Sequence, residues 1–361
     1  MFELTRYRDT YAVVRLDYLK DNVNTIYQKV KKPMIAILKA NAYGHGYQEV
    51  ANVLKDSECI SMFGVATLKE AIDLRKMRIH QDILVLGAIP LEDLGLAIEY
   101  NITLSLFSLD YMSEIKQMHH YNQPVKVHIK IDTGMNRIGF KTKEDFEYVL
   151  SCCSKDVFDV DGVFTHFATA DDPKQDEAYH QQINKFYKII DGHHFHYIHC
   201  QNSAAMMYHH DDTSNIGRIG IAMYGCDPSG QECPSLKQVM SLYSKVVMIK
   251  KVSKGEKIGY GFTYTAPEDQ YIATLPIGYA DGFIRANQGR NVYINGKYYP
   301  IVGRVCMDPM MACVDENVKV HDEAEIFGEH ITLAKMAKEL DTISYEITCL
   351  LSERVERVYI K

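Results

Sequence analysis

Eight short apolar runs, most of them followed by a stretch with helical spacing, limit what this chain can fold into more than any other feature. The runs cover residues 34–38, 62–66, 83–86, 102–106, 125–131, 160–165, 196–200 and 215–219. They are rich in Val and Ile. Between them lie amphipathic segments such as 68–75, 91–100, 109–119, 143–152 and 176–190. Parallel strands buried on both faces read as apolar runs, and their crossovers read as helices. Eight such units predict an α/β fold, a TIM-type (β/α)8 barrel, over residues 1–229. A doubly wound open sheet is the competing arrangement, but it more often uses about five or six strands. A further run at 11–16 precedes the eight and can pair in either domain.

After residue 227 the texture changes. A turn-rich linker, Cys226-Asp-Pro-Ser-Gly-Gln-Glu-Cys-Pro, leads into alternating runs at 246–252, 271–276, 290–294, 298–302, 311–314 and 323–327. Turns of Gly, Asn and Pro separate them, and one helix is expected near 333–340. Residues 230–361 therefore read as an antiparallel β domain. Two domains agree with a length of 361 residues.

Composition removes several classes of function. The net charge of −7 argues against a nucleic-acid partner, which calls for a basic face. No window approaches the length of apolar sequence that spans a bilayer, so no membrane association is expected. The N-terminus lacks the pattern of a secretory signal, and the nine cysteines show no C-x-x-C pair. Reduced thiols and a cytoplasmic location follow as expectations. The run of His193, His194, His196 and His199 has no completing carboxylate or cysteine pattern, so no metal is expected.

In a barrel of this kind, chemistry sits on the loops after the strands. The first barrel strand ends in Lys39-Ala-Asn-Ala-Tyr43-Gly44-His-Gly46. A lysine there is either a solvated strand end or a reactive amine able to form Schiff bases. The fifth strand runs into Lys130-Ile-Asp132 and then Arg137. Lys130 inside an apolar strand must pair its charge, with Asp132 the nearest candidate, or lose it. Arg137 can clamp a carboxylate. His166 follows the sixth strand. Ser203 follows the seventh and Arg218-Ile-Gly220-Ile221 closes the eighth, where this fold often binds phosphate. A lysine, a phosphate nest and two arginines at one mouth fit pyridoxal phosphate.

At Ile37-Leu-Lys39-Ala-Asn-Ala-Tyr43-Gly-His-Gly46 the sequence resembles the cofactor-attachment motif of bacterial alanine racemases. The resemblance continues through 130–139, 165–171, 202–205, 218–225, 259–261, 276–282 and 303–308, so it spans nearly the whole chain. It implies a pyridoxal-5'-phosphate enzyme that interconverts L- and D-alanine with two bases on opposite faces of the substrate and supplies D-alanine for the cell wall. Lys39 would attach the cofactor and act as one base. Tyr260, lent by the β domain of a partner subunit in a homodimer, would be the other. Tyr43, Ser203, Gly220 and Ile221 would hold the phosphate and Arg218 the pyridine nitrogen. Arg137 and Met307 would contact the substrate, and His166 would orient Tyr260. A carbamylated Lys130 would hold Arg137, with Asp308 in support. Tyr279, Asp171, Arg285 and Arg304 would form the entrance.

The resemblance also marks departures. Arg354-Val-Glu356-Arg357 stands where the family often has R-V-P-R, Glu353 stands where many members have a tyrosine, and Pro309 follows Asp308 in place of Gln. A serine or broad-specificity racemase of the same fold is the alternative that keeps the chemistry. A non-catalytic pyridoxal-phosphate protein is the alternative that does not, and the Gly259-Tyr260-Gly261 motif counts against it. Of the 25 tyrosines, most then remain packing residues, while Tyr43, Tyr260 and Tyr279 take assigned places.

Overall fold

The computed structural model describes residues 8–361; the extreme N-terminal stretch read for targeting, 1–7, lies outside them. The chain folds as two compact units. One comprises Lys20–Ala42 and Tyr47–Met223. The other comprises the described residues up to Leu19, Tyr43–Gly46 and Tyr224–Lys361.

A first strand, β1 (Thr10–Arg15), belongs to the second unit. The first unit is the barrel. Its strands are β2 (Met34–Ile37), β3 (Ile60–Val65), β4 (Asp82–Val85), β5 (Thr103–Leu106), β6 (Val125–Lys130), β7 (Phe158–Phe164), β8 (Tyr197–His199) and β9 (Gly217–Ile219). They pair in parallel in the order β8-β7-β6-β5-β4-β3-β2-β9. Strands β8 and β9 share no ladder. The gap is bridged by the Asn215 amide donating to the Ile198 carbonyl (3.0 Å) and the Arg218 amide donating to the Gln201 carbonyl (3.0 Å). The eight expected runs overlap these eight strands, and most strand residues are buried.

Several crossover helices begin on side-chain caps. Thr67, Ser108 and Thr142 each accept an amide hydrogen from the first turn of Leu68–Lys76, Leu109–Met118 and Lys143–Cys152. No helix among the described residues is long and apolar enough to cross a membrane.

The second unit is built from antiparallel sheets. A six-stranded sheet runs Lys297–Pro300, Asn291–Ile294, Glu323–Phe327, Met240–Lys245, β1 and Glu356–Ile360, with only the last pair parallel. A second sheet joins Met248–Val252, Gln270–Leu275 and Met310–Val314. A two-stranded hairpin pairs Lys257–Ile258 with Tyr264–Thr265. Its base is anchored by Ile258 and Ala266 in a buried cluster with Val252, Ile272 and Val302. The strands Met240–Lys245 and Glu356–Ile360, the hairpin and the helix Ser344–Leu350 were not expected from sequence. Glu356–Ile360 lacks an alternating buried face, and the hairpin strands are two residues long.

Two loops of this unit are bonded into one ledge. Tyr279 and Ala280 donate their amides to the carbonyls of Cys306 and Met307, both at 3.0 Å. Gly278 permits this approach, because a Cβ there would stand 2.3 Å from the Met307 oxygen and 2.4 Å from the Cys306 oxygen. Fully buried Asp281 fixes the ledge from below. It accepts the Gly278 amide (2.9 Å) and pairs with Arg8.

Candidate active site

Lys39 immediately follows Leu38 at the end of β2, half-buried, and the chain then takes an uncommon path. Ala40, Asn41, Ala42 and Tyr43 all have φ of 52–53°, a left-handed helical turn with no glycine in it. Each such residue costs about 1–2 kcal/mol. Bonds from outside the turn impose it. The Ala42 amide donates to the Leu38 carbonyl (2.8 Å), the Tyr47 amide to Asn41 Oδ1 (3.0 Å), and the Ala40 amide to Glu70 Oε1 (2.7 Å).

Glu70 thereby sets the position of Lys39. Its other oxygen accepts the amides of Ala66 (2.8 Å) and Thr67 (3.2 Å), closing a capping box with Thr67. Sequence reasoning passed over this residue, although the Thr67-x-x-Glu70 spacing ahead of an apolar helix was the available signal. Glu70→Ala leaves three amides without their acceptor and relaxes the strained turn. We expect kcat to fall about tenfold or more through a displaced Lys39, as ångström-scale misplacement does. Steady-state kinetics read against thermal melting check this.

A cluster of basic side chains faces the same end of the barrel. Lys39, Lys130, Arg137 and Arg218 all act on His166, which burial and these charges hold well below its ordinary value. Lys130, Arg137 and Arg218 form no ion pair with any described residue. The expected pairing of Lys130 with Asp132 does not occur. Asp132 Oδ1 instead accepts the amides of Gly134 and Asn136, both at 3.0 Å, to shape the turn toward Arg137. Lys130 lies against the Phe164 ring, 4.4 Å from its centroid, and burial beside Arg218 and Arg137 drives its proton affinity far down. Phe164 was not anticipated as part of the site. Nor was Gln182, which binds Thr133 (3.2 Å) and the Ala168 amide (2.9 Å) and so ties the loop after β6 to the loop after β7. The second of these loops also carries Asp171.

Arg218, on β9, is buried and heavily bonded. Nη1 donates to His199 Nδ1 (2.8 Å) and the His199 carbonyl (2.9 Å). Nη2 donates to the carbonyls of Thr165 (2.7 Å) and Cys200 (3.0 Å) and toward His166 Nδ1 (3.3 Å). Among the described residues every partner falls on Nη1 or Nη2, which leaves Nε for a ligand. Burial lowers its pKa to about 10, so it stays cationic at neutral pH. Ser203 Oγ accepts the amides of Gly220 (2.9 Å) and Ala222 (3.4 Å), which draws the segment of Gly220 and Ile221 onto the Ser203 turn and leaves the hydroxyl hydrogen to donate.

The buried imidazoles give the protein an acid-labile core. Burial lowers the pKa of His128 to about 3. The unfolded chain protonates a histidine near 6.5, so as pH falls the unfolded state binds the proton first. This residue alone removes about 1.4 kcal/mol of stability per pH unit from about 6.5 down through the folded value. Urea midpoints measured at pH 7.5, 6.5 and 5.5 should fall mainly over the lower interval, and less steeply in His128→Leu.

The second unit gathers its own candidates. Tyr260 sits at the hairpin tip, 70 % exposed, with Phe262 65 %, Met307 52 % and Tyr279 42 % exposed nearby in sequence or on the ledge. A Cβ on Gly261 would lie 3.1 Å from the Arg304 guanidinium, so the tip rests against Arg304. Arg285 lies close enough to Cys306 to influence its thiol. Tyr43 belongs to this unit, its ring tilted against those of Tyr224 (5.1 Å) and Tyr345 (5.8 Å), and burial raises its phenol strongly. In the tail, Arg354 pairs with Asp308 (2.6 Å), and Arg357 binds the carbonyls of Gly44, Leu351, Ser352 and Val355. Exposed Glu353 precedes them in a turn, and Glu356 opens the edge strand. The two tail arginines hold the chain although the intervening proline is replaced.

Comparison with known proteins agrees with this arrangement. The family described as alanine racemase, N-terminal domain, matches residues 14–228, and alanine racemase, C-terminal domain, matches 239–359. An alanine racemase of Halalkalibacterium halodurans is 41% identical, over 98% of this chain and 96% of its own length. The crystal structure of alanine racemase from E. faecalis superposes with a TM-score of 0.94 at 36% identity, covering 99% of both chains. A histidine racemase from Leuconostoc mesenteroides has a TM-score of 0.90 at 30% identity, covering 99% of both. With both halves matched in order and over nearly the full length, the chain belongs to the alanine racemase family.

Proposed function

We propose that this protein interconverts L- and D-alanine with pyridoxal 5'-phosphate, as a homodimer whose two active sites are each completed by the partner copy. The carrying observation is the set of groups at the Lys39 end of the barrel: among the described residues Arg137 and Arg218 meet no ion-paired carboxylate, and Ser203 gathers the Gly220 and Ala222 amides, which suits an anionic cofactor and an amino-acid carboxylate.

The residues present fit the cofactor. Ser203, with the Gly220 and Ile221 backbone, would hold its phosphate, aided by Tyr43. Arg218 Nε would meet its ring nitrogen, and Lys39 would carry it. When bound, pyridoxal phosphate acidifies the α-hydrogen of the attached amino acid by accepting electron density. A permanently cationic arginine at the ring nitrogen, in place of a carboxylate, weakens that sink and limits side reactions.

The chain's own groups then do the proton work. Lys39 Nζ takes or returns the α-hydrogen on one face, and Tyr260 Oη of the partner copy does so on the other. Arg137 and the Met307 backbone would orient the substrate carboxylate, and a carbamylated Lys130 would convert the unpaired buried amine into an anion able to hold Arg137. Asp308, fixed by Arg354, supports the Met307 turn. His166, neutral and accepting from Arg218, would direct its Nε2 hydrogen toward Tyr260. Tyr279, Asp171, Arg285 and Arg304 would line the entrance. Exposed Tyr260, Phe262, Tyr279 and Met307 suit an interface between copies, where aromatic residues concentrate. A cytoplasmic location is part of the same proposal.

A chirality assay tests the function. Purified, cofactor-loaded protein is given L-alanine, L-serine and L-histidine in parallel. The proposal requires alanine to be interconverted with the highest kcat/KM. Faster turnover of serine or histidine would reassign the substrate, and no turnover of any would refute racemisation.

A further inference from the structure

The barrel interior holds a chain of imidazoles that begins at Arg218 and runs away from the substrate end. Arg218 Nη1 meets His199 Nδ1 at 2.8 Å, and His199 Nε2 meets His128 Nδ1 at 2.9 Å. Both histidines are completely buried. His128 lies on β6, two positions before Lys130, and its ring fits only because Gly162 opposite has no side chain; a Cβ there would come within 2.7 Å of the ring.

Donor logic fixes every hydrogen in this chain. A guanidinium can only donate, so His199 Nδ1 must accept. A neutral His199 then carries its hydrogen on Nε2, and that hydrogen is donated to His128 Nδ1. His128 in turn carries its hydrogen on Nε2, where it meets no acceptor among the described residues. Burying an unsatisfied donor is unfavourable, yet the fold retains it. The opposite arrangement would be worse. With Nδ1 of His199 protonated, two hydrogens would confront each other at Arg218 and the charge-assisted bond there would be lost, even if His128 reversed its own bond by donating from Nδ1.

We propose that His128 is a positioning residue for catalysis: by accepting the His199 Nε2 hydrogen it locks the His199 tautomer that receives Arg218, and so holds Arg218 Nε on its ligand. This deepens the pyridoxal-phosphate reading above and rests on it. The surroundings favour neutral rings throughout. His199 faces Arg218, His128 and Lys130, and His128 faces His199, His196 and Tyr197, with no carboxylate bonded to either ring. The Tyr197 hydroxyl donates away, to Asp82. Second-tier partners of this kind orient a functional group without touching substrate.

The test begins with 15N spectra of histidine-labelled holoenzyme, assigned through His128→Asn and His199→Asn. Both rings should show Nε2 protonated and Nδ1 bare, unchanged from pH 9 to pH 5.5. A Nδ1-protonated or titrating His199 would overturn the proposal. Kinetics and the visible band of the bound cofactor then separate positioning from packing. His128→Leu keeps the volume but removes the acceptor, so the pH dependence of the band should shift and kcat should fall about 10–100-fold with KM changed less. His128→Asn, whose Oδ1 can take the place of Nδ1, should recover kcat to within about threefold. Equal loss in both variants, or no change in His128→Leu, would refute the role. If the spectra hold while the wild type fails to racemise alanine, the functional reading falls and the tautomer lock stands.

Discussion

Lys39→Ala should lower alanine racemisation by more than about a thousandfold in both directions and should remove the visible absorbance of bound cofactor. Two effects combine. The lysine would carry the cofactor, so its loss weakens retention and orientation. It would also be one of the two groups that exchange the α-hydrogen, and removal of a positioned acid/base typically costs about 10²–10⁴ in rate. The barrel should still fold, because Lys39 is half-exposed and the left-handed turn is imposed by the acceptors Leu38, Asn41 and Glu70, none of which is altered. Chirality change followed on both enantiomers, with an absorbance spectrum and a melting curve, separates loss of chemistry from loss of fold. Retained full activity would remove Lys39 from the mechanism.

Tyr260→Phe should behave differently. Cofactor absorbance is kept, since the phenol stands exposed on the β unit's hairpin and is not among the groups proposed to hold the cofactor, but turnover falls by about 10²–10⁴ in both directions because each direction needs both bases. The hairpin should be unharmed, because Tyr260 is 70 % exposed and its anchors are Ile258 and Ala266. Mixing this variant with Lys39→Ala gives a sharper result. In a mixed dimer, the barrel of the Tyr260→Phe chain retains Lys39 and receives an intact Tyr260 from its partner. With random exchange of subunits, half the dimers are mixed and each has one working site, so activity should return to about a quarter of wild type. No recovery after exchange, verified by mass-tagged subunits, would show that the two bases do not come from different copies.

What could be read from sequence follows from burial. The barrel strands were legible because most of their positions are covered on both faces, so each carries a run of apolar residues. Short or exposed strands were not. Met240–Lys245 was passed over because its Ser and Tyr positions dilute the pattern, and Glu356–Ile360 because charged residues open an edge strand. The β1 run could not be placed from sequence, since its partners are far away: residues 240–244 on one side and 356–360 on the other.

The site divides the same way. Lys39, Arg137, His166, Ser203 and Arg218 announce themselves as polar residues at strand ends, where this fold places chemistry. What holds them does not. The turn after Lys39 contradicts local propensity, since Ala40, Asn41 and Ala42 adopt a left-handed conformation without glycine, held by bonds with Glu70, Leu38 and Tyr47. Lys130 shows the converse limit. Spacing suggested Asp132 as its partner, but the carboxylate is nearer the backbone amides of its own turn. His128 and His199 were visible as polar residues in apolar strands, and their partnership with Arg218 is set by barrel closure, which no local pattern encodes.

The mechanism stands or falls on two bases acting from opposite faces, and isotope exchange interrogates that without altering a residue. L-alanine is incubated with the cofactor-loaded enzyme in D2O, and early samples are resolved by enantiomer and mass. Two bases require D-alanine that carries deuterium at the α-carbon from the first turnover, because the hydrogen removed by one base is not the one delivered by the other. D-alanine that retains the original α-hydrogen in early turnovers would mean a single base returns it, and would contradict the roles given to Lys39 and Tyr260.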